Sequence, residues 1–352
     1  MIDGIGVEQS ESEHGDLDIT DESGYVILRL KNGHIQTKNF NSENISGGNN
    51  EEISVLWIGN SLTQDAVSYL PFVLTNLAPG IRFNFYMWYD GGAQLADILT
   101  HWNNAEKAEI FSVCENTTSW TNYPKNNGGK TITDILGEYR FDVVCIEEYF
   151  NYNIRRNGYE GYQDDFNDVV EFIRDNYAYP FKVVSFFHAP LRKTLPIDPV
   201  DSSLTAVQMA EKVFGITKDG VEWQMQNTIA ESIIPAGIAV YRAMSVPELD
   251  ALGDTQHLSP DGTHTQEGLP CLMQAWVVAL WIFDHLGIQV SINNTDKFIT
   301  SANYAAINVP GANIGSGVVA GTTEQNRLAM DVAIKAHKEG KYIELNALTN
   351  NA

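Results

Sequence analysis

From Ile53 onward the chain alternates short, near-continuous apolar runs with segments of helical period, and no other feature restricts the fold as much. Ile53 to Ile58, Arg82 to Trp88, Asp142 to Ile146 and Lys182 to Phe187 read as strands, with Gly237 to Tyr241 as a fifth, short one. Helical stretches lie between them at Ala66 to Leu77, Leu95 to Lys107, Tyr162 to Asn176 and about Ser203 to Ile233; Leu269 to His285 closes the set. Strands that are apolar on both faces belong to a parallel sheet covered by helices on both sides. Right-handed crossovers make such a succession a doubly wound α/β sandwich, here with a mainly parallel five-stranded sheet. Ligands of these sheets bind beyond the C-terminal strand ends, near the reversal in strand order. A polar insertion over 109–133, with Trp120, Tyr123 and an Asn127-Gly128 turn, interrupts the pattern.

The two ends of the chain depart from this alternation. Gly24 to Asn41 holds two strand-like runs around Asn32-Gly33, the dipeptide whose positive φ angles suit a tight hairpin turn. The polar stretch NSENISGGNNEE follows as a linker. A lone hairpin is marginal in water, so it either docks on the main domain or pairs with copies of itself in a homo-oligomer or larger assembly. The tail from about Ser291 holds a helix, roughly Thr323 to Lys338, then a short strand, and is expected to pack on the outside. The expected organisation is a β-hairpin module and linker over 1–50, a main domain over 51–290, and an extension over 291–352.

Charge and composition exclude several classes. The net charge of −23, with no basic stripe, argues against nucleic acid as a partner. The most apolar stretch, Leu269 to Leu286, is broken by Pro270, Gln274 and Asp284 and reads as a buried core helix, so no membrane span is expected. The opening MIDGIGVEQSESEHGD has neither a basic start nor an apolar stretch, so no secretory signal is expected there. The cytoplasm is then the default compartment, with an extracellular or virion-associated place as the alternatives. Cys114, Cys145 and Cys271 are odd in number and far apart, which disfavours a disulfide framework or a cysteine zinc site.

Chemistry gathers at the residues that follow each strand. After the first come Gly59, Asn60 and Ser61; after the second, Asp90, Gly91 and Gly92; after the third, Glu147, Glu148 and Asn151; after the fourth, His188. HLSPDGTH, with Asp261 and His264, precedes the closing helix. One sheet edge would thus hold a hydroxyl, an imidazole, a carboxylate and several amide donors, the parts of an acyl-transfer site. Taken singly, Ser61 is as well explained as a helix N-cap, and Asp261-Gly262 as a turn. Together they supply a nucleophile, a base and a group to orient the base. Asn60 is expected to support the turn, and Asp65 to be a first-turn helix acid.

In combination these blocks resemble the SGNH, or GDSL-type, serine hydrolases. Gly59-Asn60-Ser61-Leu62 is similar to their Gly-Asp-Ser-Leu block, and Asp261-Gly262-Thr263-His264 to their Asp-x-x-His block. The resemblance spans roughly residues 53 to 286 and implies a flavodoxin-like fold with no cofactor and no metal. It implies Ser61 as nucleophile, with His264 and Asp261 completing a triad. The oxyanion would be held by the N–H groups of Ser61 and Gly92 (or Gly91). The third block, Gly-x-Asn-Asp, departs from the pattern: its glycine falls on Tyr149, its asparagine on Asn151 and its aspartate on Tyr152. Only Asn151 is kept as a donor, and Glu147, Glu148 or Asn153 are alternatives for that place. The runs GNSLTQDAV, YDGGAQLADILTHWNNA and DGTHTQEG look more like a bacterial branch without assigned function. A pair of glutamines often follows strand three in that branch, where this chain has Glu147-Glu148. GYVILRLKNGHIQTKNF is similar to a short module seen before bacterial hydrolases and on phage fibre-like proteins. The implied activity is a serine esterase removing O-acetyl or similar small acyl groups from carbohydrate. Glu147, Glu148, Tyr149 and His188 are expected to contact the substrate; Tyr89, Trp120, Tyr123, Tyr149 and Tyr152 suit stacking on a sugar, with core packing the alternative for most of them and the reading taken for Trp88.

Three rivals compete with this reading. Asp254, His257, Asp261 and His264, joined by His188, have ligand types suited to zinc or manganese. Glu147 and Glu148 are paired carboxylates of the kind that cleave glycosides. A non-catalytic carbohydrate-binding or structural protein on the same scaffold is the third.

Overall fold

A computed structural model of the chain describes residues 8–11, 17–20, 26–31, 34–37, 52–114, 117, 119–147, 150–186, 225–249, 258, 264–288 and 321–349. The chain divides into two compact units, Met1–Asn49 and Asn50–Ala352. In the first, strands β1 (Glu8–Glu11), β2 (Leu17–Thr20), β3 (Val26–Lys31) and β4 (His34–Thr37) form an antiparallel sheet in chain order. Lys31 pairs with His34 in the β3–β4 register; the Asn32-Gly33 turn expected between them lies outside the described residues.

The second unit is an α/β sandwich on one mixed sheet of β5 (Glu52–Gly59), β6 (Arg82–Tyr89), β7 (Glu109–Cys114), β8 (Thr121–Tyr123), β9 (Val143–Glu147), β10 (Lys182–Phe186) and β11 (Ser232–Ile234). The order is β11-β10-β9-β5-β6-β7-β8. From β11 to β6 neighbouring strands run parallel, whereas β7 and β8 add an antiparallel flank. The parallel part has the doubly wound order 2-1-3-4-5, whose reversal falls between β5 and β9. Every residue of β5 after Glu52 is buried, as a central strand covered on both faces requires. Trp57 on β5 meets Phe85 and Phe186 edge-on at 6.2 Å each.

Several expectations need correction. The sheet has seven strands, not five, because Glu109–Cys114 and Thr121–Tyr123 pair where a polar insertion was expected. Trp120 is core, its indole N–H donating to the Ser68 carbonyl at 3.2 Å. The fifth parallel strand is Ser232–Ile234; the Gly237 to Tyr241 run lies in a helix, because Pro235 ends the strand and opens α6 (Ala236–Ala243). The expected first helix is two, α1 (Ser61–Val67) and α2 (Leu70–Leu77), with Pro71 in the first turn of α2. Further helices are α3 (Leu95–Asn103), α4 (Ile132–Glu138), α5 (Phe150–Asn176), α7 (Leu269–Leu286) and α8 (Thr323–Thr349). The tail strand expected after Lys338 is part of α8, which packs on α6 and α7. Most of the helix expected from Ser203 to Ile233 lies outside the described residues. α7 is long and apolar enough to cross a membrane, but it is largely buried in the sandwich as a core helix.

Candidate active site

Gly59 ends β5, and Asn60 turns the chain into α1. Asn60 is extended, with φ −127° and ψ −157°, and its side-chain oxygen accepts the Leu62 N–H at 2.9 Å. The N-cap is therefore Asn60, and Ser61 is the first helical residue with its hydroxyl left for another partner. That partner is His264: Ser61 Oγ lies 2.7 Å from Nε2. With the ring proton on Nδ1, the hydroxyl donates to Nε2. Both residues are partly exposed, although 203 positions separate them in sequence.

The second strand end is bonded to this turn. The Asp90 N–H donates to the Gly59 carbonyl at 3.1 Å, and the Asn60 amide donates to the Ala93 carbonyl at 3.3 Å. Gly91 and Gly92 lie exposed in the loop so fixed. Gly92 has φ +74°, a conformation that side chains disfavour.

Beneath the turn sits a carboxyl. Glu147, the last residue of β9, is 1% exposed, and its Oε2 accepts the Thr63 hydroxyl at 3.1 Å. A Cβ on Gly59 would come within 2.1 Å of Thr63 Oγ1 and 3.2 Å of Glu147 Oε2, so this contact requires glycine at 59. Burial pushes the Glu147 pKa up to about 8; the Thr63 hydroxyl and the Asn60 N–H pull it down, and nearby Asp65 raises it. The expectation that Glu147 contacts substrate is thus corrected: its side chain is enclosed between the sheet and α1.

The His264 loop is anchored to the same helix. Asp65, one turn beyond Ser61 and fully buried, accepts the Thr265 N–H through Oδ2 at 2.8 Å. Two consecutive loop residues therefore meet two α1 residues one turn apart, Ser61 with His264 and Asp65 with Thr265. The loop is held from α7 as well: the Gln274 amide donates to Thr265 Oγ1, and Cys271 Sγ lies 3.6 Å from the Thr265 carbonyl.

The other expected site residues divide as follows. Asp261, Glu148, Tyr149 and His188 lie outside the described residues, as do Asp254 and His257 of the metal reading. Asn151 is in the first turn of α5, and its side chain is outside the description. Among the described residues, no three His, Cys, Asp or Glu side chains group to hold a metal.

Sequence reasoning missed Thr63 and Asp65 as parts of the site. An acid three residues after Leu62 and next to Ala66, on the apolar side of α1, was the available signal for Asp65. It also missed His101, at the end of α3, whose Nδ1 contacts Asp90 Oδ2. That pair lines a recess of about 140 Å³ with Tyr89, Gly91, Glu109 and Lys125.

These elements define a doubly wound α/β sandwich with a hydroxyl–imidazole pair at its switch point. A DUF4886 family protein from Bacteroides uniformis has a similar fold, with a TM-score of 0.57 and 19% identity over 84% of this chain and 96% of that chain. A lipase from goat rumen metagenome matches at a TM-score of 0.38 and 12% identity over 65% of this chain and 96% of that one. A GDSL-like lipase from Bacteroides thetaiotaomicron matches at 0.34 and 12%, over 66% and 87%. At those scores neither lipase bears on the site. No family model matches the chain, and no curated protein matches it.

Proposed function

We propose that this chain is an SGNH-type serine esterase acting on a small ester. The observation that carries the reading is the 2.7 Å contact between the Ser61 hydroxyl and His264 Nε2 at the end of β5. Ser61 Oγ attacks the ester carbonyl as its proton passes to Nε2, forming the Oγ–C bond. Collapse of the tetrahedral intermediate breaks the bond to the alcohol, which leaves with that proton. Water then repeats the sequence on the acyl-enzyme, returning the free acid and the serine. The N–H groups of Ser61 and Gly92, or Gly91, hold the oxyanion, with Asn151 as a third donor. Asp261 orients His264.

O-acetyl groups on carbohydrate remain our choice of substrate. Trp88 is core as expected and Trp120 is core as well; among the described side chains, partly buried Tyr89 and exposed Tyr123 are left to meet a sugar, while Tyr149 and the side chain of Tyr152 lie outside the described residues.

Labelling with a fluorophosphonate and hydrolysis of p-nitrophenyl acetate test the reading. The parent should react in both assays, and Ser61→Ala and His264→Ala in neither. A Ser61→Ala protein that turns over the ester as fast as the parent would instead favour a non-catalytic role for this turn.

A further inference from the structure

Glu147 ends β9 where the strand order reverses, and its side chain is buried under the nucleophile turn. Three of its neighbours belong to that turn. Thr63 donates to it from α1, the Asn60 N–H favours its anion, and Gly59 leaves the space it fills. Among the described residues, the titratable groups that act on it are Asp65 from α1 and Cys145 on its own strand, whose thiol burial pushes well above the ordinary value. Its register partner on β10 is Phe186, and the end of β5 beside it offers Ile58 and Gly59. Burial, first, and then the charge of Asp65 favour its neutral form.

We propose that Glu147, held as the neutral acid, is a positioning residue for the Ser61 turn: it braces Asn60 and Thr63 while leaving the oxyanion as the one new negative charge there. The role rests on the serine-esterase reading and adds regulation by pH to that site. Its pKa of about 8 sets the window. Above it, a second anion lies beneath the reacting carbonyl and opposes the charge developing there. The rate therefore has an alkaline limb that belongs to a buried carboxyl, beside the acid limb expected of the histidine base.

The experiment is the rate of Ser61 labelling by a fluorophosphonate from about pH 6 to 10, a range that brackets both limbs. Glutamine keeps the shape of glutamate and does not ionise. Glu147→Gln should lose the alkaline limb, its rate gaining on the parent about tenfold per pH unit beyond it. Thr63→Val removes a hydrogen bond that favours the anion, and should move the limb to higher pH. Asp65→Asn removes the like charge, and should move it to lower pH. A purely structural role would not move the limb in opposite directions. Infrared titration supplies a readout without turnover: a protonated-carboxyl band present in the parent at neutral pH and missing in Glu147→Gln. Labelling of the parent with the same alkaline limb in Glu147→Gln would overturn this role alone, as would the same carboxyl band in both proteins. A parent that no fluorophosphonate labels would overturn the serine reading and this role with it.

Discussion

The two ends of the parallel sheet are built on different terms. At the C-terminal end, Asn60, Thr63, Asp65 and Glu147 are polar, none more than 2% exposed, and joined to one another or to the His264 loop. At the N-terminal end, Glu52, Asn84, Tyr86, Glu138, Arg140 and Asp142 line an open cleft of about 510 Å³. Arg82 pairs there with Glu52 at 2.8 Å, the two side chains 42% and 43% exposed. Burying polar groups costs free energy unless each finds a partner, and exposed pairs hold little. One end is therefore a network in which each residue depends on its neighbours. The other tolerates change.

The largest test of that contrast is Ser61→Ala, which should reduce esterase turnover at least about 1,000-fold. Its melting temperature should stay close to that of the parent, since Asn60 and not Ser61 caps α1. The pH dependence of stability comes next. The Glu147 pKa is raised from 4.5 to about 8 in the folded state, so the unfolded chain gives up this proton first as pH rises. The stabilisation is complete below pH 4.5, falls through the window and is gone beyond about 8, amounting to at most about 5 kcal/mol. Denaturant titrations of parent and Glu147→Gln across that range should differ in slope, the variant being the flatter. Gly59→Ala ranks third. Its Cβ would press on Thr63 Oγ1 and Glu147, at a cost of about 1–3 kcal/mol. Because the displaced groups brace the turn, fluorophosphonate labelling should slow as well. Unchanged stability and labelling would show that the floor of the turn yields freely.

Much of this contrast is legible in the sequence, though unevenly. The parallel strands announce themselves because both faces are buried, as in the run Ile53 to Ile58. Ser61 and His264 are legible because the fold gathers strand-end residues at one edge. The antiparallel flank is hidden: Glu109–Cys114 is short, is interrupted by Ser112 and borders polar loops, so it reads as part of an insertion. Ser232–Ile234 is too short to stand out beside the longer apolar run that follows Pro235. Glu147 is the instructive miss. Neighbouring strand residues face opposite ways, and the sequence alone does not say whether the last one meets substrate or the underside of a helix. Asp65 likewise reads as an ordinary helix acid until the chain returns 200 residues later with Thr265.

At the opposite end, Glu52→Gln is the smallest change and the control for the comparison. Glu52 pairs with Arg82 and accepts the Asn84 amide at 3.1 Å, in an exposed setting where water and salt screen the charges. Glutamine can still accept from Asn84, so only the screened charge pair is lost. The expected loss is under about 0.5 kcal/mol, shrinking further as salt is added, with esterase turnover unchanged. A loss of several kcal/mol, or a fall in turnover, would mean that the cleft at this end is coupled to the Ser61 turn through the length of β5. The division between a cooperative end and a tolerant one would then fail.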